Sequence, residues 1–213
     1  MKGFLIVTGY RLLTFLARLL PQRFGNSIFR FFGKIAGRFN KDRRKMVEKH
    51  LRRTKSTELD VQEMEKSIDE VFSSYATYWF QSFRLPGMTS EQILKDFDYE
   101  GEPYLAEALD AEVGPIMAMP HLGGWEWSAF WITKVRGIRL NAVVEPLEPP
   151  EVFEWFKKFR SSLGMKVIPL GASAGSEVIN ALKSKEMVVL LCDRHVGGGG
   201  VEVEFFGEKT LLP

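Results

Sequence analysis

The chain has 213 residues, 45% hydrophobic and 26% charged, enough to bury one ordinary core with a helical appendage and too apolar for a disordered segment. A lone cysteine, Cys192, excludes an internal disulfide framework and fits a reducing compartment, and three scattered histidines leave no closed zinc or other metal site. The net charge of +2 is uneven: residues 1–55 carry 15 Lys or Arg against Asp42 and Glu48, a net +13, and the rest of the chain is −11, so the amino-terminal segment seeks a polyanion, either nucleic acid or an anionic membrane surface.

From Gly3 to Leu20 the chain is largely apolar, but Arg11 and Arg18 would be costly at a bilayer centre, which argues against a spanning helix. Pro21, Gln22 and Arg23 stand where a signal peptide would have a small-residue cleavage site, so the N-terminus is expected to be kept. On a helix, Leu5, Leu12, Leu13, Leu16, Leu19 and Leu20 share one face and the two arginines stack elsewhere. A second amphipathic helix is expected from Ser27 to Ala36, with Phe29, Phe31 and Phe32 beside Arg30, Lys34 and Arg38. Such faces ordinarily pack on a core. Here their coincidence with the positive charge favours helices lying in the headgroup plane of a membrane, and a nucleic-acid arm would lack so many Phe and Leu. Val61 to Phe83 repeats apolar residues at helical spacing until Pro86 and Gly87 stop it, and Arg84 just beyond is a candidate contact for an anionic group. Residues 1–90 thus read as a helical membrane-associating region and 91–213 as an α/β core.

After Thr89, short apolar runs alternate with helical stretches. Pro115–Met119 reads as a buried strand, Trp125–Val135 as helix, Leu140–Val144 as strand, and Pro150–Leu163 as helix. A strand at Lys166–Leu170, a helix at Gly175–Lys183 and a strand at Met187–Cys192 follow. Successive strand-to-helix units predict an α/β fold with a mainly parallel sheet flanked by helices and ligands at the carboxyl ends of the strands.

The chemistry-bearing motifs fall at those ends. Pro120-His121-Leu122-Gly123-Gly124-Trp125-Glu126 runs from a strand through a glycine turn into a helix. His121 and Glu126 would lie on different faces of one continuous helix, but a glycine loop can fold the acid onto the imidazole, fixing its tautomer as a general base requires. Gly123 and Gly124 would let backbone N–H groups approach a substrate. A lone histidine is otherwise more often structural, and no Gly-x-Ser-x-Gly elbow supports a serine acyl-enzyme. Glu145 closes the next strand, and Arg160 on the following helix sits beside the packed side, where it could clamp a phosphate. Asp193 and Arg194 read equally as a structural ion pair or as substrate contacts. The glycines from Gly197 to Gly200 lack the residues of a nucleotide loop and read as a lid or hairpin, followed by Glu202, which points away from the core.

Together with Leu163-Gly164-Met165 and Gly200-Val201-Glu202-Val203-Glu204-Phe205-Phe206-Gly207-Glu208, these motifs resemble the bacterial lipid A lauroyl acyltransferase superfamily. Ser74-Tyr75, Tyr78-Trp79 and Phe83-Arg84-Leu85-Pro86 make the chain more similar to its actinobacterial phosphatidylinositol mannoside acyltransferases, from about Val47 onward. The resemblance implies a peripheral enzyme on the cytoplasmic face of the inner membrane. It would esterify a mannose hydroxyl of a glycolipid from acyl-coenzyme A or acyl carrier protein, with no bound cofactor. It further implies His121 as base, Glu126 as its carboxylate, and Arg160 and Glu202 in the site. Two positions depart from the pattern: Glu126 stands where the mannoside enzymes often have aspartate, and His195 where an aspartate commonly completes an Asp-Arg-Asp run. The family continues beyond this length, so a stop at Pro213 is expected to mark a fragment. A glycerophospholipid acyltransferase and a non-catalytic lipid-binding protein are the alternatives.

Overall fold

The computed structural model describes residues 2–54, 59–195 and 199–212. The chain divides into two compact units: Met1–Arg11, Leu85–Val203 and Leu211–Pro213 form an α/β unit, and Leu12–Arg84 with Glu204–Thr210 form a helical one.

The first two helices are α1 (Lys2–Leu19), whose second half belongs to the helical unit, and α2 (Gln22–Phe39). They are followed by α3 (Lys41–Thr54) and α4 (Val61–Arg84). The second helix is longer than expected because it runs through Gly25 and Gly37, poor helix formers that are needed where α2 meets α4. Gly25 lies against the Phe80 ring and Gly37 against Phe72, and a Cβ at Gly33 would come within 2.6 Å of the Phe72 carbonyl oxygen. This close approach turns the small face of α2 inward. Its Phe24, Phe31, Phe32 and Phe39 are each at least 60% exposed, as are Leu19 and its neighbours Leu12 and Phe15 on α1 by more than half.

The charges of this unit converge on α4. Asp69 is buried there, with Arg44 2.7 Å away and Lys34 and Arg38 at 3.3 and 3.4 Å. Burial alone would raise its carboxyl, but hydrogen bonds from Arg44 and Lys34 outweigh it and hold the group below the usual carboxylate range. The same arginine helps anchor α3, a charged helix with no buried residue and hence no apolar period to announce it. Arg84, expected to meet an anionic group, is instead the last residue of α4. It donates to the carbonyls of Ala17 (3.0 Å) and Leu20, the unsatisfied oxygens at the end of α1.

The α/β unit opens with α5 (Ser90–Asp96), started by a Thr89–Gln92 capping box, and α6 (Glu102–Asp110). There follow β1 (Ile116–Met119), α7 (Trp125–Phe130) with a π turn to Val135, β2 (Leu140–Val144), α8 (Pro150–Ser162), β3 (Met165–Pro169), α9 (Ala174–Lys183) and β4 (Met187–Leu191). These four strands form one parallel sheet in the order β1-β4-β2-β3, confirming the α/β reading. Two forward crossovers and one return place α7 and α8 on one face and α9 on the other by the right-handed rule. β1 is an edge strand with alternating exposure, Ile116 being 54% exposed, so the expectation that it is buried fails; β2 and β4 carry the core. The last strands, β5 (Val201–Phe205) and β6 (Glu208–Leu212), make a hairpin turning at Phe206 and Gly207, both with positive φ, which is the two-residue geometry suited to strand twist. Gly197 and Gly198 of the expected glycine lid lie outside the described residues.

Candidate active site

The geometry of the site follows from strand register. β1 and β4 pair in parallel with Met119 opposite Leu191, and the Cys192 N–H donates to the Met119 carbonyl at 3.2 Å, so the two chains continue side by side beyond the ladder. Two residues past each strand end, His121 and Asp193 meet. One carboxylate oxygen of Asp193 is 2.8 Å from the imidazole Nδ1, and the other accepts the backbone N–H of His121 at 2.8 Å.

Held at both places, the ring is fixed in orientation. An ionised carboxylate at Nδ1 selects the tautomer with the proton there and leaves Nε2 as an acceptor. Partial burial would raise the Asp193 carboxyl, but hydrogen bonds from the His121 ring and backbone N–H outweigh this and keep it below its ordinary value. The carboxylate on the ring is therefore Asp193 and not Glu126.

Glu126 lies elsewhere. Gly123, at φ +61°, makes the left-handed turn that carries the chain from β1 into α7, and Gly124 caps that helix. Glu126 in its first turn is only 2% exposed and pairs with Arg160 of α8, Oε1 to Nη2 at 3.7 Å. The Arg160 guanidinium also stacks over the rings of Trp125 and Phe156, at 5.1 and 5.6 Å.

A cavity of about 330 Å³ opens at the carboxyl ends of the strands, where the parallel topology leads one to expect a ligand. Its apolar wall comes from Val143, Val144, Leu147, Leu170, Leu190 and Leu191; its polar groups are His121, Glu145, Arg160, Arg194 and Cys192. Glu145, just after β2, and Arg194, after β4, form an ion pair at 2.5 Å in which both side chains stay more than a third exposed. The sequence thus anticipated most of the polar lining. Glu202, on exposed β5, is not among the lining residues, nor are Gly123 and Gly124. Of the aromatic residues that follow the motif on its helix, Trp127 is half-buried and the other two belong to the core. Phe130 and Trp131 are buried, and Trp131 stacks on Phe97 (5.0 Å) and Tyr99 (4.4 Å). The pairing of His121 with Asp193, which the sequence does not announce, is visible only once β4 is known to lie next to β1.

The family model for bacterial lipid A biosynthesis acyltransferases matches residues 4–213. The chain belongs to this family. Among curated proteins it is similar to a phosphatidylinositol mannoside acyltransferase of Mycolicibacterium smegmatis, 35% identical over 144 residues, and to one of Mycobacterium tuberculosis, 36% identical over 145. The matches cover 66% of this chain and 47% and 46% of the relatives, so the chain spans about half the length of the curated relatives it matches.

Proposed function

We propose that the protein of which this chain is the sequence transfers a fatty acyl group from a thioester, acyl-coenzyme A or acyl carrier protein, to a hydroxyl of a phosphatidylinositol mannoside at the cytoplasmic face of the inner membrane. The acceptor is the one for which the mycobacterial relatives are named. The observation that carries the mechanism is the Asp193–His121 contact beside a cavity lined by apolar side chains and by the two arginines Arg160 and Arg194.

Nε2 of His121 takes the proton of the acceptor hydroxyl as its oxygen bonds to the thioester carbonyl carbon. The tetrahedral oxyanion, steadied by the Arg160 guanidinium, collapses with cleavage of the carbon–sulfur bond, and the thiolate leaves with the proton from the imidazolium. Asp193 stabilises the imidazolium between these steps, so no acyl-enzyme is needed. Arg194 is suited to a phosphate of either substrate, since its exposed Glu145 partner can be exchanged for a ligand anion at little cost.

The test is release of coenzyme A thiol from palmitoyl-coenzyme A with mannosylated phosphatidylinositol, and separately with lysophosphatidate, as acceptor. His121→Ala abolishes transfer, and Asp193→Asn lowers turnover by about 10² to 10⁴. Full turnover in the His121 variant overturns the assignment. Preference for lysophosphatidate moves the acceptor to glycerophospholipids, and lipid binding without thiol release in any variant identifies a non-catalytic lipid-binding protein.

A further inference from the structure

With the imidazole held by Asp193, the motif carboxylate Glu126 is not needed as its partner, yet it is among the most deeply buried charged groups of the α/β unit, its side chain 3% exposed. A buried carboxylate is costly unless a cation compensates it, and the cation here is Arg160. We propose that Glu126 is a positioning residue for Arg160, fixing the guanidinium at the wall of the cavity that contains His121. This rests on the reading of His121 as the base.

The local fold supports the assignment. Trp125 and Glu126 are consecutive in the first turn of α7, so the segment that follows the base supplies both an aromatic face and a counter-charge for one guanidinium, while Phe156 supplies a second face from α8 itself. An arginine so enclosed keeps one orientation and still lines the cavity. Because the pair is neutral as a whole, Arg160 offers directed N–H donors without excess positive charge. That suits an oxygen that becomes anionic only during the reaction, such as the carbonyl oxygen of the acyl group, better than a permanently charged phosphate. Arg194 has the opposite character, being exposed with an exchangeable partner. The two cavity arginines thus divide the work, and the histidine motif carries the base and the support of the oxyanion donor in one turn.

The experiment compares Glu126→Gln, Arg160→Met and their combination on the full chain, with Arg160→Lys replacing the methionine variant if that one does not fold. Thermal unfolding is expected to give a double variant whose loss of melting temperature falls well short of the sum of the single losses. Turnover is expected to fall on the order of a hundredfold in each single variant and no further in the double. The ¹⁵N shifts of the His121 imidazole, which report its tautomer, are expected to stay as in the parent in Glu126→Gln and to change in Asp193→Asn. Additive losses, or a changed His121 tautomer in Glu126→Gln, overturn the proposal. The unfolding and imidazole readouts need no turnover, so they decide it even in a chain without activity. An active His121→Ala variant would remove the base assignment and leave the coupling of Glu126 to Arg160 standing.

Discussion

At Asp69 three cations approach one carboxylate with 8% of its surface exposed, and its depressed titration has a consequence with a definite sign. A carboxyl whose folded pKa lies below its unfolded value near 3.9 contributes stability that is complete above that value and is lost as pH falls through the folded one. Acid unfolding followed by circular dichroism is therefore expected to start in this window. Asp69→Asn is expected to be less stable than the parent at neutral pH and to lose that difference as the medium is acidified. A constant difference between the two from neutral pH to the acid transition would contradict the account. Single residues were also what the sequence showed best: His121, Glu145, Arg160 and Arg194 were all placed at strand ends or packed helix faces from pattern alone. The partner of His121 was not, because the choice between Glu126 and Asp193 depends on strand order, which periodicity does not encode.

Long elements with an apolar repeat were legible, whereas the short helices α5 and α6 were not anticipated. All four strands of the parallel sheet, and α4, α8 and α9, lie within a few residues of their expected positions, whereas α3 has no apolar repeat and passed unread. Exposure of β1 was missed for the same reason as the ring partner, since a four-residue apolar run reads alike at the edge and the centre of a sheet. The glycines of α2 give a test at this scale. Gly33→Ala places a methyl group against the backbone of Phe72, which cannot withdraw as a side chain could, and overpacking of this kind is expected to cost about 1–3 kcal/mol. Gly9→Ala in α1, with nothing within 4 Å of the added carbon, is expected to stabilise by up to about 1 kcal/mol through helix propensity. Denaturant titration of both variants checks the contrast, and equal effects would remove the close-packing explanation of α2.

Over the whole molecule, charge and exposed apolar surface gather in the same part of the chain. No helix among the described residues is long and apolar enough to cross a membrane, but the outward phenylalanines of α2 and the basic residues around them fit a helix resting among lipid headgroups. Sedimentation with vesicles is expected to be strong when they contain anionic lipid and to weaken as salt is raised. The paired substitution Phe31→Ser and Phe32→Ser is expected to reduce it at every ionic strength. Unchanged sedimentation of that variant would return these helices to the role of ordinary packing elements. The pairing of His121 with Asp193, 72 residues apart in sequence, also limits how such a chain can diverge. Helices and loops between the two strands can gain or lose residues and leave the contact intact. A single residue inserted into either β1 or β4 alone would turn one of the two side chains to the opposite face of the sheet. The contact therefore tolerates changes of length in the connections and none in one strand alone, so the two strand tips can be altered only as a matched pair.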